Sequence, residues 1–197
     1  MTNSPETSSD DPRALRSRAR LKDALVRLLE REDLSGIGVA ELCREAGVHR
    51  TTFYGHYDSV GQLAAEVYAS IIDEASAVEP PKDLSLDELA RTYLATAVSI
   101  LEAVRKDRRQ IRSLLDSSVS LGFRKQMREH FVRRSAEAID VMRDHGLSLP
   151  DNTDVGAAFI AGGTVSSIEL WASIDDADAE TFARRMFANM PAWWPQP

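Results

Sequence analysis

A chain of 197 residues with 43% hydrophobic side chains has enough apolar material to bury a core, which excludes disorder along its whole length. A single cysteine, Cys43, excludes an internal disulfide, and no basic segment followed by an apolar one opens the sequence; both point to a reduced, cytoplasmic setting. The net charge of -7 argues at first against a nucleic-acid partner, but it is unevenly spread: residues 1–12 hold three acids and no base, residues 13–57 nine Lys/Arg against six Asp/Glu, and residues 58–197 15 against 22.

Residues 1–12, MTNSPETSSDDP, are polar and without apolar period, so a disordered tail is expected there. From Arg13 to Arg31 the apolar positions Leu15, Ala19, Leu21, Ala24, Leu25, Leu28 and Leu29 recur at helical spacing and predict an amphipathic helix. After a break at residues 34–38, Val39 to Ala46 predicts a short helix with Gly38 as its N-cap and Glu41 at the third position of a capping box. Gly47 supplies the conformational freedom that a tight turn needs, and His49 to His56 predicts a second short helix. Asp58 is the expected N-cap of a further helix reaching about Val78.

The Pro80-Pro81 pair interrupts the chain, and Ser85-Leu86-Asp87-Glu88 forms a capping box for a helix ending near Val104. Further helices are expected near 105–117, 119–145, 152–174 and 178–190, and no alternating strand pattern occurs, so the predicted fold is all-α. In the C-terminal part the longest uncharged stretch runs from Val155 to Ile168, short of the roughly 20 residues a membrane span requires, so no membrane helix is expected.

A short helix, a glycine-containing turn and a second short helix rich in polar residues make a helix-turn-helix, whose second helix enters the major groove of DNA. With Leu42, Ala46 and Phe53 turned to a shared core, the outward face of the second helix carries Arg50, Thr51 and Tyr54. Arg50 has paired donors suited to guanine O6 and N7, and Thr51 brings a hydroxyl and a methyl to base edges. Thr52, Tyr54 and His56 carry donors placed for phosphates, which fix register without reading sequence.

The run Ala46-Gly47-Val48-His49-Arg50-Thr51-Thr52-Phe53-Tyr54-Gly55-His56-Tyr57, preceded by Val39-Ala40-Glu41-Leu42, resembles the DNA-binding domain of TetR-family transcriptional regulators. The resemblance implies an N-terminal three-helix DNA-binding domain over 13–58 and a larger helical effector-binding and dimerisation domain over 59–197. It implies base reading by Arg50 and Thr51, phosphate contacts from Tyr54 and His56, and backbone contacts from Arg18 or Arg20; Val39, His49 and Thr52 complete the expected DNA-binding set. It also implies a homodimer on a near-palindromic double-stranded operator, usually as a repressor, released by a small-molecule effector.

The chain departs from the family pattern at Gly38 (usually Ser or Thr), His49 (Ser), Tyr57 (Phe) and Val60 (Lys). The changes at Gly38 and Val60 support an alternative, a protein of the same fold acting mainly through protein partners. His49 caps the helix, meets a phosphate or faces solvent, and the sequence leaves these open.

Within the larger domain Tyr68, Tyr93, Met127, Phe131 and Phe159 are candidate effector-binding residues. Ile168, Leu170, Trp171, Ile174, Phe182, Met186, Phe187 and Met190 give the last two helices an apolar surface suited to a four-helix interface between two subunits, with the small residues of Phe159-Ile160-Ala161-Gly162-Gly163-Thr164-Val165 allowing close helix approach. No nucleophile with a base, metal-ligand cluster or cofactor motif converges, so neither an enzyme nor a cofactor is expected. Cys43 reads as a small core residue, and the basic run 105–112 as a solvated helix face.

Overall fold

The computed structural model describes residues 12–78, 80–81, 84–175 and 178–197, all of them helical or connecting, with no strand among them. The helices are α1 (Pro12–Leu29), α2 (Val39–Ala46), α3 (Arg50–Tyr54), α4 (Val60–Ser76), α5 (Leu86–Lys106), α6 (Arg108–Leu115), α7 (Ser120–Asp144), α8 (Thr153–Ser173) and α9 (Ala179–Phe187), with one 3-10 turn at Leu34–Gly36. The expected tail lies outside the described residues except for Pro12, which opens α1. Proline suits a first helical turn, where its missing N–H has no intrahelical acceptor.

The chain forms two compact units, one through Val67 and one from Tyr68. In the first, Leu21, Ala24, Leu25 and Leu28 of α1, Leu42 and Ala46 of α2, Phe53 of α3, and Leu63, Ala64 and Val67 of α4 are all buried. The opening turns of α4 thus belong to this unit, because their apolar side chains complete its core.

Two helix starts and ends differ from expectation for local chemical reasons. α3 is shorter than His49–His56, spanning Arg50–Tyr54. α4 begins at Val60 rather than after Asp58, because the Ser59 hydroxyl accepts from Gln62 N at 3.1 Å while the Gln62 carbonyl oxygen takes Asp58 N–H at 2.6 Å. Ser59 thus caps the third helical N–H, and the Gln62 side chain reaches back to the residue before that cap.

The second unit is a helical bundle in which α7 and α8 pack most extensively, α5 lies on α8 and α9, and α6 bridges α7 and α8. Phe123, Leu89, Leu101, Ile111 and Trp171 are fully buried, and the indole of Trp171 donates to Leu101 O at 2.7 Å. The capping box at α5 forms as the sequence predicts: Glu88 N–H donates to Ser85 Oγ at 3.3 Å and Ser85 N–H to Glu88 Oε2 at 2.8 Å. α8 meets the length and composition of a membrane span, with mean hydropathy 1.3, but Ala157, Ile160, Ala161, Val165, Ile168 and Trp171 are buried within the bundle.

Two left-handed glycines end helices. Gly47 (φ 60°) closes α2 with Val48 N–H donating to Cys43 O at 3.0 Å and Gly47 N–H to Arg44 O at 3.2 Å; Gly146 (φ 79°) closes α7 in the same way. Both are Schellman motifs, in which a positive φ lets two consecutive N–H groups reach back to otherwise unpaired carbonyls. A Cβ at Gly47 would lie 2.5 Å from Arg20 Nη2, which is a flexible end able to move, so the backbone conformation is the larger obstacle. Gly47→Ala is expected to lower stability by about 1–2 kcal/mol, measured by urea unfolding of the whole chain. An unchanged midpoint would contradict the role given to this turn.

Candidate nucleic-acid interface and ligand cavity

Phe53 is 0% exposed and its ring lies 5.3 Å from that of Tyr54, edge to face, and 5.9 Å from that of Tyr57, which is also buried. With Phe53 pointing inward, the helical rotation of about 100° per residue turns Tyr54 outward, where it is 58% exposed. Arg50, Thr51 and Thr52 are exposed beside it. The structure therefore brings the base-reading candidates and two of the phosphate candidates onto one open face.

The remaining candidates are placed differently. His49 occupies the N-cap position of α3 and is exposed, and its side chain makes no capping hydrogen bond there. His56 is half-buried with Nε2 2.7 Å from Ser17 Oγ, whose own hydroxyl donates to Ala14 O at 2.9 Å. Since the Ser17 proton is used on Ala14, His56 Nε2 is the donor between them, and this nitrogen is unavailable to a phosphate. Arg20 is exposed and lies against Gly47; Val39 is half-buried at the first turn of α2.

Arg18 is drawn inward. Its Nη2 pairs with Glu66 Oε1 at 2.8 Å, its Nε donates to Tyr57 Oη at 3.4 Å, and Lys22 Nζ meets the same Glu66 oxygen at 2.7 Å. Of the two arginines expected at the DNA backbone, Arg18 is thus engaged within the chain by a network that ties α1 to α4, while Arg20 is the more open. The Cys43 thiol is buried and pushed up by that burial, against the nearby charge of Arg50.

In the second unit a cavity of about 480 Å³ opens among α5, α7, α8 and α9 and the C-terminal segment. Of the five effector-binding candidates, Tyr93 and Phe131 line it; Tyr68 and Met127 are buried elsewhere, and Phe159 is 70% exposed on α8. The cavity is also lined by residues outside that candidate set, Ile160, Arg134 and Trp194 among them. Trp194 packs its ring 5.5 Å from that of Tyr93, while Trp193 turns to Gly156 of α8.

The expected dimer surface is also corrected. Ile168, Trp171, Phe182 and Phe187 are buried in their own chain, and Ile168, Met186, Phe187 and Met190 line the cavity; Ile174 is half-buried. The open apolar stripe of α8 is its other face, with Val155 at 58%, Phe159 at 70% and Leu170 at 53% exposure, and a Cβ at Gly163 would meet no atom within 4 Å. Of the eight expected interface residues, Leu170 is exposed, while Ile174, Met186 and Met190 are half-buried.

No family model matches the chain. Among curated proteins, an uncharacterised helix-turn-helix transcriptional regulator of Bacillus subtilis, YxbF, is 33% identical over 96 residues, 46% of this chain and 25% of that protein. The chain therefore spans about a quarter of that relative's length. Among solved structures, TylP, a TetR regulator from Streptomyces fradiae, aligns with TM-score 0.55 at 23% identity over 88% of this chain and 84% of its own. The structure of RolR in complex with resorcinol aligns with TM-score 0.64 at 17% identity, covering 88% of this chain and 87% of that one.

The fold is that of the TetR regulators. On this TetR-type fold a further polar group stands beside the cavity: His130 Nδ1 is 2.5 Å from Asp73 Oδ1, and its Nε2 is 2.7 Å from Ser76 Oγ. These are the distances of a nucleophilic triad, and Ser76 ends α4, where the unpaired backbone groups of the helix are carbonyls. Burial lowers the His130 pKa, aided by Arg133 and Arg134 and opposed by Asp73, whose carboxylate is exposed; the three side chains tie α4 to α7.

Glu66 gives a pH signature. Burial pulls its pKa up, but hydrogen bonds from Lys22, Arg18 and Tyr57 outweigh this and hold it below its usual 4.5; Tyr57, buried beside it, is pushed up to about 12. A carboxylate with a depressed folded pKa stabilises fully above its unfolded value and loses that contribution as pH falls through the folded one. Glu66→Gln is expected to cost about 1–2 kcal/mol at neutral pH and to narrow its deficit against the parent protein below about pH 4. Denaturant titrations at several pH values check this; a deficit constant across them would sink the assignment.

Proposed function

We propose that the protein is a ligand-responsive transcriptional regulator of the cytoplasm, binding a near-palindromic double-stranded operator as a homodimer through α2 and α3. The observation that carries this reading is the face of α3: Arg50, Thr51, Thr52 and Tyr54 stand exposed on a helix whose Phe53 is wholly buried. Arginine forks and hydroxyls on an open, rigidly phased helix are the donors that base edges and phosphates accept. The similarity to the B. subtilis helix-turn-helix regulator supports the same conclusion.

A homodimer would form on the open side of α8, where Val155, Phe159, Gly163 and Leu170 make an apolar stripe beside a 200 Å³ groove between α8 and α9. Two-fold symmetry then sets two recognition helices about 34–36 Å apart, one DNA turn, and the operator reads as a near-palindrome. The cavity in the second unit is the effector site of this reading, and its support is the volume, large enough for a small organic molecule, together with RolR's complex with resorcinol on a similar fold. Repression relieved by an effector requires different effector affinity for the DNA-competent and incompetent conformers, a coupling of about 1–3 kcal/mol.

Selection of bound fragments from random DNA tests the reading directly: enrichment of a palindrome with half-sites one turn apart is expected, and no enrichment by a dimeric preparation would overturn it. In mobility-shift assays Arg50→Ala is expected to lose about 1–3 kcal/mol of discrimination at one base pair in each half-site, and Tyr54→Phe to weaken all sequences alike. Sedimentation at micromolar concentration is expected to show a dimer for the parent protein and a monomer for Phe159→Asp. A parent protein that sediments as a monomer would remove the symmetric operator.

A further inference from the structure

Resting on the reading of the cavity as the effector site, we propose that its ligand is a neutral, mainly hydrocarbon molecule carrying a carbonyl-type oxygen that accepts from Trp194 Nε1. The wall decides the charge. Its charged side chains, among the described residues, are Arg134 and Glu137, and they satisfy each other: Arg134 Nη1 donates to Glu137 Oε2 at 2.8 Å. The other end of the guanidinium is spent on backbone, with Nη2 donating to Ser76 O at 2.8 Å and Val78 O at 3.0 Å. A carboxylate or phosphate entering the cavity would have to break these bonds, and an ammonium would have to compete with Arg134 for Glu137.

Two of the wall's hydroxyls are similarly committed, while Ser135, Thr164 and Tyr93 bring further ones able to donate or to accept. Thr96 Oγ1 donates to Thr92 O at 2.9 Å, and Ser76 Oγ is held between Asp73 O at 2.9 Å and His130 Nε2 at 2.7 Å. Trp194 differs: its side chain is part of the wall, the residue is 6% exposed, and Nε1 is enclosed without any acceptor. Indole nitrogen is a donor only, so an occupant relieves this unpaired group solely by presenting an acceptor. Tyr93 lies beside it with ring centroids 5.5 Å apart, and burial keeps its phenol protonated, so the aromatic corner is uncharged. Ile100, Ile160 and Phe131 supply apolar surface for the remainder of the ligand.

Three probes of one carbon skeleton test the proposal on the full chain by isothermal titration: benzylacetone, a neutral ketone; n-butylbenzene, the hydrocarbon; and phenylbutyrate, an anion. The ketone is expected to bind about five- to tenfold more tightly than the hydrocarbon, and the anion more weakly than either. Trp194→Phe is expected to remove the ketone's advantage while leaving the hydrocarbon's affinity unchanged, and Ala97→Phe, which fills the cavity, to abolish binding of both. An anion that binds as well as the ketone overturns the neutral ligand, and an advantage that survives Trp194→Phe overturns the Trp194 contact; in either case the cavity stands as a ligand site. If no probe binds the folded parent protein, or if all bind Ala97→Phe undiminished, the effector-site reading itself falls.

Discussion

Phe53 is wholly buried in the N-terminal unit, and a helix of five residues depends on it. Five residues form barely one turn, and the cost of nucleating a helix is not recovered over that length without tertiary packing. Phe53 provides the packing and also fixes the rotation of α3 about its axis. Once that rotation is set, the outward direction of Arg50, Thr51 and Tyr54 follows from helical geometry. Gly47 fixes the other variable, the angle at which the chain leaves α2, because a positive φ there brings Val48 N–H back to Cys43 O at 3.0 Å.

Much of the local chemistry was legible from sequence, though not the cap of α4, which is Ser59 rather than Asp58, and distant pairing was not. The capping box at Ser85 and Glu88 spans three residues and needs nothing beyond the helix start, so its pattern predicts its bonds. The turn at Gly47 and the phase of α3 are equally local. Arg18 looks free when only its neighbours in sequence are considered; its partner Glu66 lies 48 positions away, and His56 finds Ser17 at a separation of 39. The same holds for Asp73, His130 and Ser76, whose pairing links α4 to α7 across 54 positions.

α8 shows a different limit. Its apolar residues surround the helix, so periodicity does not separate the core face from the open one, and Ile168 and Trp171 were assigned to a surface that they do not reach. The structure separates the two faces: Ile160, Val165, Ile168 and Trp171 pack within the bundle, whereas Val155, Phe159 and Leu170 stand open. A helix apolar on all sides, with one side packed in the bundle, leaves its other apolar side to be covered, which is the physical basis of the homodimer proposed above.

The departures from the family pattern acquire a physical meaning in the same way. Val60, where the resemblance leads one to expect lysine, is 9% exposed at the start of α4 and so adds to the core of the N-terminal unit; it exchanges a long cation for apolar burial. Gly38, where a hydroxyl is expected, stands in open space with no atom within 4 Å of a Cβ built there, so nothing in the packing demands glycine. Add to these the pairing of Arg18 with Glu66 and of His56 Nε2 with Ser17, and of four positions expected to hold DNA backbone two lack the expected side chain and two have donors engaged within the chain. On the proposed reading, affinity then rests on Arg50, Thr51, Thr52 and Tyr54, with Arg20 nearby. So few contacts from one subunit would bind weakly, and the coupling of two subunits on one operator becomes, in that proposal, the condition under which this short, positively charged segment of an acidic chain would hold DNA.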